Sequence, residues 1–264
     1  MNNTVLKMNG LTIGYKTSKG NNILYSNMDA TLKKGELTCL LGKNGTGKST
    51  LLRTLCRLLP PIAGSVQVNG KDIRQFSMRE LSKQIGIVLT DMVRTEDMTA
   101  YEVIALGRSP YTGFWGRLSD SDREIIDKSI EQIGIAELTE RKMQTLSDGE
   151  RQKIMIAKAV AQETPVILLD EPSAFLDYAS KIKLLQLLHT LTKKLGKTVL
   201  VSSHDIEQML RFSDNVWLLD RERGFTQGET RLLCQNGTVA SYFNLEGITF
   251  DQDNYRFEID FDQI

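Results

Sequence analysis

Gly42-Lys43-Asn44-Gly45-Thr46-Gly47-Lys48-Ser49-Thr50 is the stretch of sequence that decides the fold. An apolar run, Thr38–Leu41, precedes it, and a leucine-rich helical pattern follows it. Glycines between a strand and a helix let successive backbone N–H groups turn toward phosphate oxygens, and the helix N-terminus adds its positive end. The stretch therefore predicts a phosphate-binding loop, in which Lys48 contacts the β- and γ-phosphates of a nucleotide and Ser49 contacts Mg²⁺.

Further apolar runs rich in β-branched residues predict the other strands of the core: Ile85–Leu89, Val166–Leu169, Thr198–Ser202 and Val216–Leu219. Strands that are apolar along their whole length are typical of a parallel sheet that is covered on both faces. Near the N-terminus, apolar and polar residues instead alternate, as in Leu6-Lys7-Met8. The predicted fold class is α/β: a P-loop NTPase core with a mostly parallel sheet, an antiparallel β flank at the N-terminus and an inserted helical subdomain.

Capping boxes, in which Ser or Thr is followed three residues later by Glu, predict three helix starts: Ser77 with Glu80, Thr99 with Glu102, and Ser121 with Glu124. After the third box, Ile126, Ile130 and Ile133 fall on one face of a helix. The segment from about residue 91 to residue 161 is accordingly predicted to be a helical subdomain that is inserted between two strands of the core.

The C-terminal residues have the period-two pattern of a strand. Tyr255, Phe257 and Ile259 alternate with charged residues, which predicts a hairpin with Ile248–Phe250. From residue 244 onward, six acidic residues accompany one basic residue. We predict a domain over residues 1–243 and an acidic β-hairpin extension over 244–264, whose surface is either simply solvated or used in regulation or partner contact.

Composition limits the classes of function. The 264 residues include 33 Lys plus Arg and 33 Asp plus Glu, so the formal net charge is zero and a surface that attracts nucleic acid throughout is excluded. The apolar runs are far shorter than the roughly 20 residues that cross a bilayer, and no secretory pattern is visible, so we expect a cytoplasmic protein. Cys39, Cys56 and Cys234 lack metal-ligand spacing and are expected to be reduced, packed thiols.

A phosphate-binding loop of this kind needs a second strand that carries carboxylates for the metal and for the attacking water. Val166-Ile167-Leu168-Leu169-Asp170-Glu171 supplies that strand. Asp170, at the end of the strand, can hold a water of the Mg²⁺ shell, and Glu171, which points the other way, can polarise the nucleophilic water. The sequence therefore predicts hydrolysis of a nucleoside triphosphate.

The segment Leu146-Ser147-Asp148-Gly149-Glu150-Arg151-Gln152 resembles the signature sequence of ABC transporter ATPases, Leu-Ser-Gly-Gly-Gln. Asp148 and Glu150 replace the first Gly and the Gln of that signature. Gly149 opens an apolar helical pattern, so the Ser147 hydroxyl and backbone N–H groups make an anion site at a helix N-terminus. The resemblance implies that Ser147 and Gly149 grip the γ-phosphate of the ATP held by the opposite subunit.

Other elements of the family appear in order from about residue 6 to residue 237. The resemblance implies that Tyr15 stacks on adenine; the alternative is a tyrosine packed in a strand. It also implies that Asp177 couples the two sites of a dimer and that His204 contacts the γ-phosphate. The implied ATP site has Glu171, His204 and Lys48 as catalytic residues, and its further nucleotide contacts are Gly42, Lys43, Asn44, Gly45, Thr46, Gly47, Ser49 and Thr50.

One departure from the family pattern concerns the metal. After the strand Ile85–Leu89 the family has a Gln that touches Mg²⁺ and water and links the site to the membrane subunit, and here Thr90 occupies that place. The Thr90 hydroxyl is too short to replace Gln directly but could reach the metal through a water molecule. The implied metal residues are Ser49, Asp170 and Thr90, and coupling to the membrane subunit is expected to differ.

The stretch Ala105-Leu106-Gly107-Arg108-Ser109-Pro110-Tyr111 is similar to a Gly-Arg-x-Pro-Tyr/His stretch of ATPases that serve iron-siderophore, haem and cobalamin importers. The alternative is structural, a helix stopped by Gly107 and Pro110. The resemblance implies an ATP-hydrolysing subunit of an ABC importer, with ATP and Mg²⁺ as cofactors. Its implied partners are a second copy of itself in an ATP-sandwich homodimer, a polytopic membrane permease and, indirectly, a substrate-binding protein.

Such a subunit is expected at the cytoplasmic face of the cell membrane, as a peripheral protein without a nucleic-acid partner. The alternative is a soluble ABC-type ATPase that clamps a ribosome, nucleic acid or an iron–sulfur assembly complex. Such proteins typically carry two ATPase units or long coiled coils, and neither pattern is visible in these 264 residues. Zero net charge also disfavours a nucleic-acid clamp.

Overall fold

The computed structural model describes residues 3–18, 20–89, 97–174, 176–243 and 248–259. Its strands are β1 Thr4–Thr17, β2 Gly20–Lys33, β3 Leu37–Leu41, β4 Ala63–Val68, β5 Lys71–Asp72, β6 Ile85–Val88, β7 Val166–Asp170, β8 Thr198–Ser203, β9 Asn215–Asp220, β10 Gly224–Glu229, β11 Ile248–Asp251 and β12 Arg256–Ile259. Its helices are α1 Lys48–Leu55, α2 Met78–Leu81, α3 Ala100–Ala105, α4 Asp120–Ile133, α5 Asp148–Ala161, α6 Tyr178–His189, α7 Ile206–Phe212, α8 Thr230–Gln235 and α9 Thr238–Phe243.

A six-stranded sheet with the order β10-β9-β3-β8-β7-β6 forms the centre of the described part of the chain. Neighbouring strands are parallel except β10, which runs antiparallel to β9. Every residue of β3, β7 and β8 is buried, as expected of strands that are covered on both faces. The loops after these three strands meet at one edge of the sheet. The predicted α/β class with a mostly parallel sheet is confirmed.

A second sheet, with the order β2-β1-β4-β5, is antiparallel and confirms the predicted N-terminal flank. One apolar cluster joins it to α1 and to the central sheet: Leu6 and Met8 of β1 pack with Leu51 of α1 and Trp217 of β9. The first helix is therefore held between the two sheets. This packing sets the direction in which the N-terminus of α1 points.

The helices α3, α4 and α5 lie between β6 and β7 in the chain and form the predicted helical insertion. Val103, Ile126 and Ile154, one from each helix, belong to one buried apolar cluster. The chain after α3 passes close to α5 at Gly107, where an added Cβ would overlap the Lys158 carbonyl oxygen. Glycine is required at this position by contact rather than by its backbone angles.

The capping boxes predicted at Ser77 and Thr99 are confirmed, whereas the one predicted at Ser121 is wrong. Helix α4 begins two residues earlier, with Ser119 as its N-cap. The Ser119 hydroxyl accepts the Asp122 N–H, and the Asp122 carboxylate accepts the Ser119 N–H. An Asp completes the box here in place of the Glu that the pattern specifies, because its shorter carboxylate still reaches the N-cap backbone.

The Gly107–Tyr111 stretch has a packing role in the insertion. The buried Arg108 guanidinium donates through Nε to Asp122 Oδ1 at 2.9 Å, and through Nη1 to Ala161 O at 2.8 Å and Glu163 Oε2 at 2.9 Å. The Tyr111 ring lies 4.0 Å from the same guanidinium, a cation–π distance. Arg108 therefore ties the first turn of α4 to the end of α5.

The C-terminal strands β11 and β12 pair antiparallel and pack against α7. The Phe257 N–H donates to Glu207 Oε1 at 2.8 Å, and Arg211 Nη2 donates to Asn254 O at 3.0 Å. Both contacts hold the hairpin to the helix that follows β8. The division of the chain into a domain and an extension at residue 244 stays a prediction.

None of the helices within the described ranges is long and apolar enough to cross a membrane.

Cys39, Cys56 and Cys234 are free and buried. Burial raises the pKa of Cys56 and of Cys234 to about 11. Thiols with such pKa values stay protonated near neutral pH and are poor nucleophiles.

Replacing Arg108 by Ala is expected to lower the free energy of unfolding by about 3 kcal/mol, because it leaves a buried carboxylate without its cation. Urea titration followed by circular dichroism measures this change. The control is Lys193→Ala, which removes an exposed ion pair with Asp214 and should change the free energy by less than about 1 kcal/mol. Equal effects of the two variants would contradict the packing role of Arg108.

Candidate functional site

The loop between β3 and α1 curls tightly, and its glycines permit this. Gly45 and Gly47 have φ angles of 76° and 107°, which L side chains rarely adopt. Gly42 is required by contact, because a Cβ there would lie 2.5 Å from Leu219 O and 2.8 Å from Thr46 Oγ1. The backbone of the loop and the N-terminus of α1 consequently border one cleft.

Lys48 reaches back across this loop. Its side chain is buried, and Nζ donates to Gly42 O at 2.8 Å and lies 3.5 Å from Lys43 O. The same ammonium pairs with Glu171 Oε1 at 3.1 Å. Gly42 and Lys43 thus hold the lysine through their carbonyl groups and do not themselves line the cleft.

Glu171 connects the loop to the residue that follows β8. Its Oε2 lies 2.6 Å from His204 Nδ1, while its Oε1 contacts Lys48. His204 is about half exposed, whereas Lys48 is buried. The structure therefore brings together the three side chains that were predicted to be catalytic, although they follow three different strands.

Asp170 and Glu171 end β7 in different ways. Asp170 is buried and accepts a hydrogen bond from Ser202 Oγ at 2.8 Å. Glu171 has a φ of 48°, so the chain leaves the direction of the strand there. The Glu171 N–H donates to the same Ser202 Oγ at 2.9 Å. One hydroxyl group thus touches both acidic residues.

The cleft beside the loop has a volume of about 770 Å³, within the range of about 300 to 1,000 Å³ that small-molecule sites occupy. Tyr15 is 45% exposed, and its hydroxyl lies 2.7 Å from Thr50 Oγ1. Its ring therefore borders the cleft rather than filling the core. The lining residues are Tyr15, Asn22, Leu24, residues 44–50, Glu171, Ala174, His204 and Arg221.

Sequence reasoning did not single out Asn22, Leu24, Arg221 or Ser202. Arg221 Nη2 donates to Gly45 O at 3.0 Å from the turn after β9, and no motif marks that turn. A signal for Ser202 was present, since it is a hydroxyl residue at the end of a predicted strand, two positions before the predicted His204.

The predicted signature lies elsewhere in the chain. Ser147 caps α5: its hydroxyl accepts the Glu150 N–H at 3.3 Å, and its N–H donates to Glu150 Oε2 at 2.8 Å. Ser147 and Gly149 line a separate cavity of about 340 Å³ between α5 and α6. One copy of the chain therefore does not bring these residues to the cleft that Lys48 lines.

Asp148 and Glu150, the two residues that differ from the usual signature, stabilise the start of α5. Hydrogen bonds from Ser147 hold the pKa of Glu150 below its usual range. Glu150 also pairs with Arg141, and Asp148 with Arg151, each at 3.2 Å. Acidic side chains in a first helical turn are favoured by the positive end of the helix. Stabilisation of the first turn of α5 thus explains why acidic residues occupy positions 148 and 150.

Asp177 caps α6 and accepts the Ser180 N–H at 2.7 Å. Hydrogen bonds from Ser180 hold the pKa of Asp177 below its usual range. Ser180 also lies beside the signature, because its Oγ would be 3.2 Å from a Cβ on Gly149. Asp177 is therefore a close neighbour of the signature.

Thr90, which was predicted to reach the metal, lies outside the described residues.

The oxygen atoms near the cleft suit Mg²⁺ rather than a metal held by a protein cage. Within the residues that the structure describes, no group of three or more His, Cys, Asp or Glu side chains could hold a metal ion. Mg²⁺ bound mainly by phosphates and water needs only one or two protein oxygen atoms. The Ser49 hydroxyl and the Asp170 carboxylate offer such atoms, so the residues present fit this ion.

The part of the chain that contains the phosphate-binding loop, Asp170 and Glu171 matches a known protein family. A family model described as ABC transporter matches residues 25–174. This chain belongs to the ABC transporter family. Its resemblance in sequence to ABC ATPases is thereby confirmed, and this ABC protein binds and hydrolyses ATP.

Individual relatives match over most of their length. The iron(3+)-hydroxamate import ATP-binding protein FhuC of Bacillus subtilis is 39% identical over 236 residues, which are 89% of this chain and 86% of FhuC. The ferric enterobactin transport ATP-binding protein FepC of Escherichia coli is 33% identical over 253 residues, 95% of this chain and 92% of FepC. A solved dimeric structure of the ATP-binding cassette MJ0796, with ADP and Pi bound, matches with a TM-score of 0.73 at 28% identity and covers 85% of this chain and 98% of that one.

Gly42→Ala is expected to weaken ATP binding by about 5- to 150-fold, because the added methyl group must displace the Leu219 backbone or Thr46, at a cost of about 1 to 3 kcal/mol. Titration with a fluorescent ATP analogue measures the affinity. Gly113→Ala is the control, since its Cβ would meet nothing within 4 Å, and it should bind like the wild type. Unchanged binding by Gly42→Ala would refute the proposed close fit of the loop.

Proposed function

We propose that this ABC ATPase energises the uptake of an iron-siderophore through a separate membrane permease, with haem or cobalamin as the other cargo classes of this type. The position of Glu171 is the observation that supports a role in ATP hydrolysis. Its carboxylate touches the Lys48 ammonium on one side and the His204 ring on the other, at the border of the cleft. A carboxylate so placed can orient water beside a phosphate that Lys48 neutralises.

The proposed cycle begins when ATP competes with Glu171 for Lys48. Phosphate oxygens pair with the lysine ammonium, and Glu171 Oε1 is then available to accept a hydrogen bond from the attacking water. His204 holds the other oxygen of Glu171 and contacts the γ-phosphate. The N–H groups of residues 44–50, which line the cleft, bind the phosphates, and the Tyr15 ring stacks on adenine.

Mg²⁺ would be held by the Ser49 hydroxyl and by the Asp170 carboxylate, with Thr90 joined through a water molecule. When bound, the ion would neutralise negative charge that develops on the phosphates. This assignment is supported by the hard oxygen donors on Ser49 and Asp170 and by the place of both residues at the same edge of the central sheet.

A second copy of the chain completes each ATP site in this proposal. Ser147 and Gly149 line a cavity that is distinct from the cleft, so a second copy would have to present them to the γ-phosphate. Asp177 would couple the two sites, since its helix start packs beside Gly149. The dimeric form of the cassette MJ0796 supports this arrangement.

The permease partner is proposed to dock where the helical insertion meets the core. A shallow groove of about 440 Å³ lies there, and it is lined by Met78, Arg79, Ser82, Leu106, Ser109, Pro110 and Gln162. Met78 and Leu106 are exposed, and exposed apolar side chains gathered in one place are typical of protein interfaces. Phe114 and Trp115, in the loop that follows, are 96% and 82% exposed and add apolar surface.

The cargo is inferred from the relatives and from one motif. The names of FhuC and FepC refer to iron(3+)-hydroxamate import and to ferric enterobactin transport. The Gly107–Tyr111 stretch resembles the same group of importers. A peripheral place at the cytoplasmic face of the membrane, and an indirect link to a substrate-binding protein, follow from this proposal.

Glu171→Gln is expected to retain ATP binding within about threefold and to lose turnover by about a hundredfold or more, because an amide cannot take up the proton of the water. The variant should accumulate as an ATP-bound dimer, which size-exclusion chromatography with light scattering detects. Normal turnover in this variant would refute the assignment of Glu171.

Capture of the same variant with ATP from native membranes tests the transport role. A polytopic permease is expected to co-purify, and mass spectrometry identifies it. Ribosomal proteins or soluble assembly factors in its place would overturn the importer proposal and leave the ATPase cycle standing.

Leu106→Glu is expected to abolish that co-purification, because a charge replaces exposed apolar surface that lines the docking groove. ATP binding by the isolated variant should be unchanged. Leu232→Glu, which alters an exposed leucine on α8, serves as the control and should leave capture intact. Capture of the permease by both variants would place the docking surface elsewhere.

A further inference from the structure

The Ser202 side chain lies between the two acidic residues of the site. Its hydroxyl donates to Asp170 Oδ1 at 2.8 Å and accepts the Glu171 N–H at 2.9 Å. Ser202 is 0% exposed, so bulk water does not compete for either bond. A hydroxyl group can donate one hydrogen bond and accept another at the same time. The Ser202 hydroxyl does both, to Asp170 and from Glu171.

The strand register explains this placement. Asp170 of β7 pairs directly with Ser202 of β8 in the parallel ladder. Side chains at paired positions of neighbouring strands project to the same face of a sheet, and both residues stand near the carboxyl ends of their strands. Ser202 therefore contacts the Asp170 carboxylate at the edge of the sheet where the loops of the site begin.

The second bond acts on the backbone of Glu171. Glu171 has a φ of 48°, in the left-handed region that non-glycine residues adopt only when surrounding contacts hold them there. Glu171 directly follows the last paired residue of β7, and its N–H donates to the Ser202 hydroxyl. This bond supports the turn from which the Glu171 side chain reaches Lys48 and His204.

We propose that Ser202 is a positioning residue for ATP hydrolysis, which sets the orientation of the Asp170 carboxylate and of the Glu171 backbone with one hydroxyl group. This inference rests on the roles proposed above for Asp170 in metal binding and for Glu171 in water activation. Groups that orient metal-binding carboxylates typically change metal affinity or activity by about 10- to 100-fold when they are removed.

A purely structural role makes a different prediction. A buried hydroxyl that only satisfies its neighbours would lower stability when it is removed, and activity would follow the folded fraction. A positioning role instead lowers the turnover number of the folded protein and weakens metal binding, while metal-free ATP binding by the loop persists. The two roles therefore separate when stability, turnover and metal affinity are measured on the same variants.

The experiment compares Ser202→Ala with Ser202→Thr, which keeps the hydroxyl group. Ser129→Ala is the matched control, because Ser129 is also buried and donates to a backbone carbonyl within α4, away from the cleft residues. For each protein, the melting temperature, kcat, KM for ATP and the affinity for an ATP analogue in EDTA are measured.

Metal affinity is measured without turnover. Each substitution is combined with Glu171→Gln, and Mn²⁺ binding to the ATP complex is followed by electron paramagnetic resonance. For Ser202→Ala we expect kcat to fall by about 10- to 100-fold and the Mn²⁺ dissociation constant to rise by about tenfold. Its affinity for the ATP analogue in EDTA should stay within about twofold of the parent protein. Ser202→Thr should restore most of kcat.

Ser202→Ala that matches Ser129→Ala in both kcat and Mn²⁺ affinity would overturn this inference. That result is distinguishable from failure of the proposed function, which normal turnover of Glu171→Gln would reveal. If Ser202→Ala is too unstable to assay, Ser202→Cys replaces it, since a thiol nearly keeps the volume but is a weak donor. Equal kcat values for Ser202→Cys and Ser202→Thr would then overturn the inference.

Discussion

The ion pair between Lys48 Nζ and Glu171 Oε1, 3.1 Å long, is the contact on which the site depends. It joins the loop after β3 to the residue after β7, and these strands are separated in the sheet by β8. Because the three strands are parallel, their carboxyl ends meet at one edge. Opposite charges at this distance, in a partly buried place, attract strongly. In the proposed mechanism, a phosphate that enters the loop replaces the carboxylate at Lys48, which links nucleotide binding to the release of Glu171.

The helical insertion is stabilised independently of that contact. Arg108 ties the start of α4 to the end of α5, and Gly107 allows the chain after α3 to lie against α5. Ser147 begins α5 with a capping box and lines a cavity of its own. The residues expected to act on one phosphate therefore line two distinct cavities of a single copy, which is why the proposed mechanism requires a second copy.

Local patterns predicted most of the secondary structure and failed where a pattern was defined too narrowly. The core strands and the boxes at Ser77 and Thr99 were predicted because each depends on a few consecutive residues. The start of α4 was misplaced because Asp122 fulfils the role that the pattern reserves for Glu. The Gly107–Tyr111 stretch was singled out by its resemblance to importer ATPases, with a helix stop as the alternative. The ion pairs of Arg108 with Asp122 and Glu163 became evident only from the fold.

The sequence by itself determined the phosphate-binding loop, the acidic pair at the end of β7 and the family, because these depend on residues that are consecutive or keep a set order along the chain. The tertiary structure alone decided which side chains meet. The bonds of Ser202 to its two acidic neighbours, and of Arg221 to Gly45, join residues that are 31 or more positions apart. Such contacts depend on strand order and register, and a shift of one residue would turn Ser202 to the opposite face of the sheet.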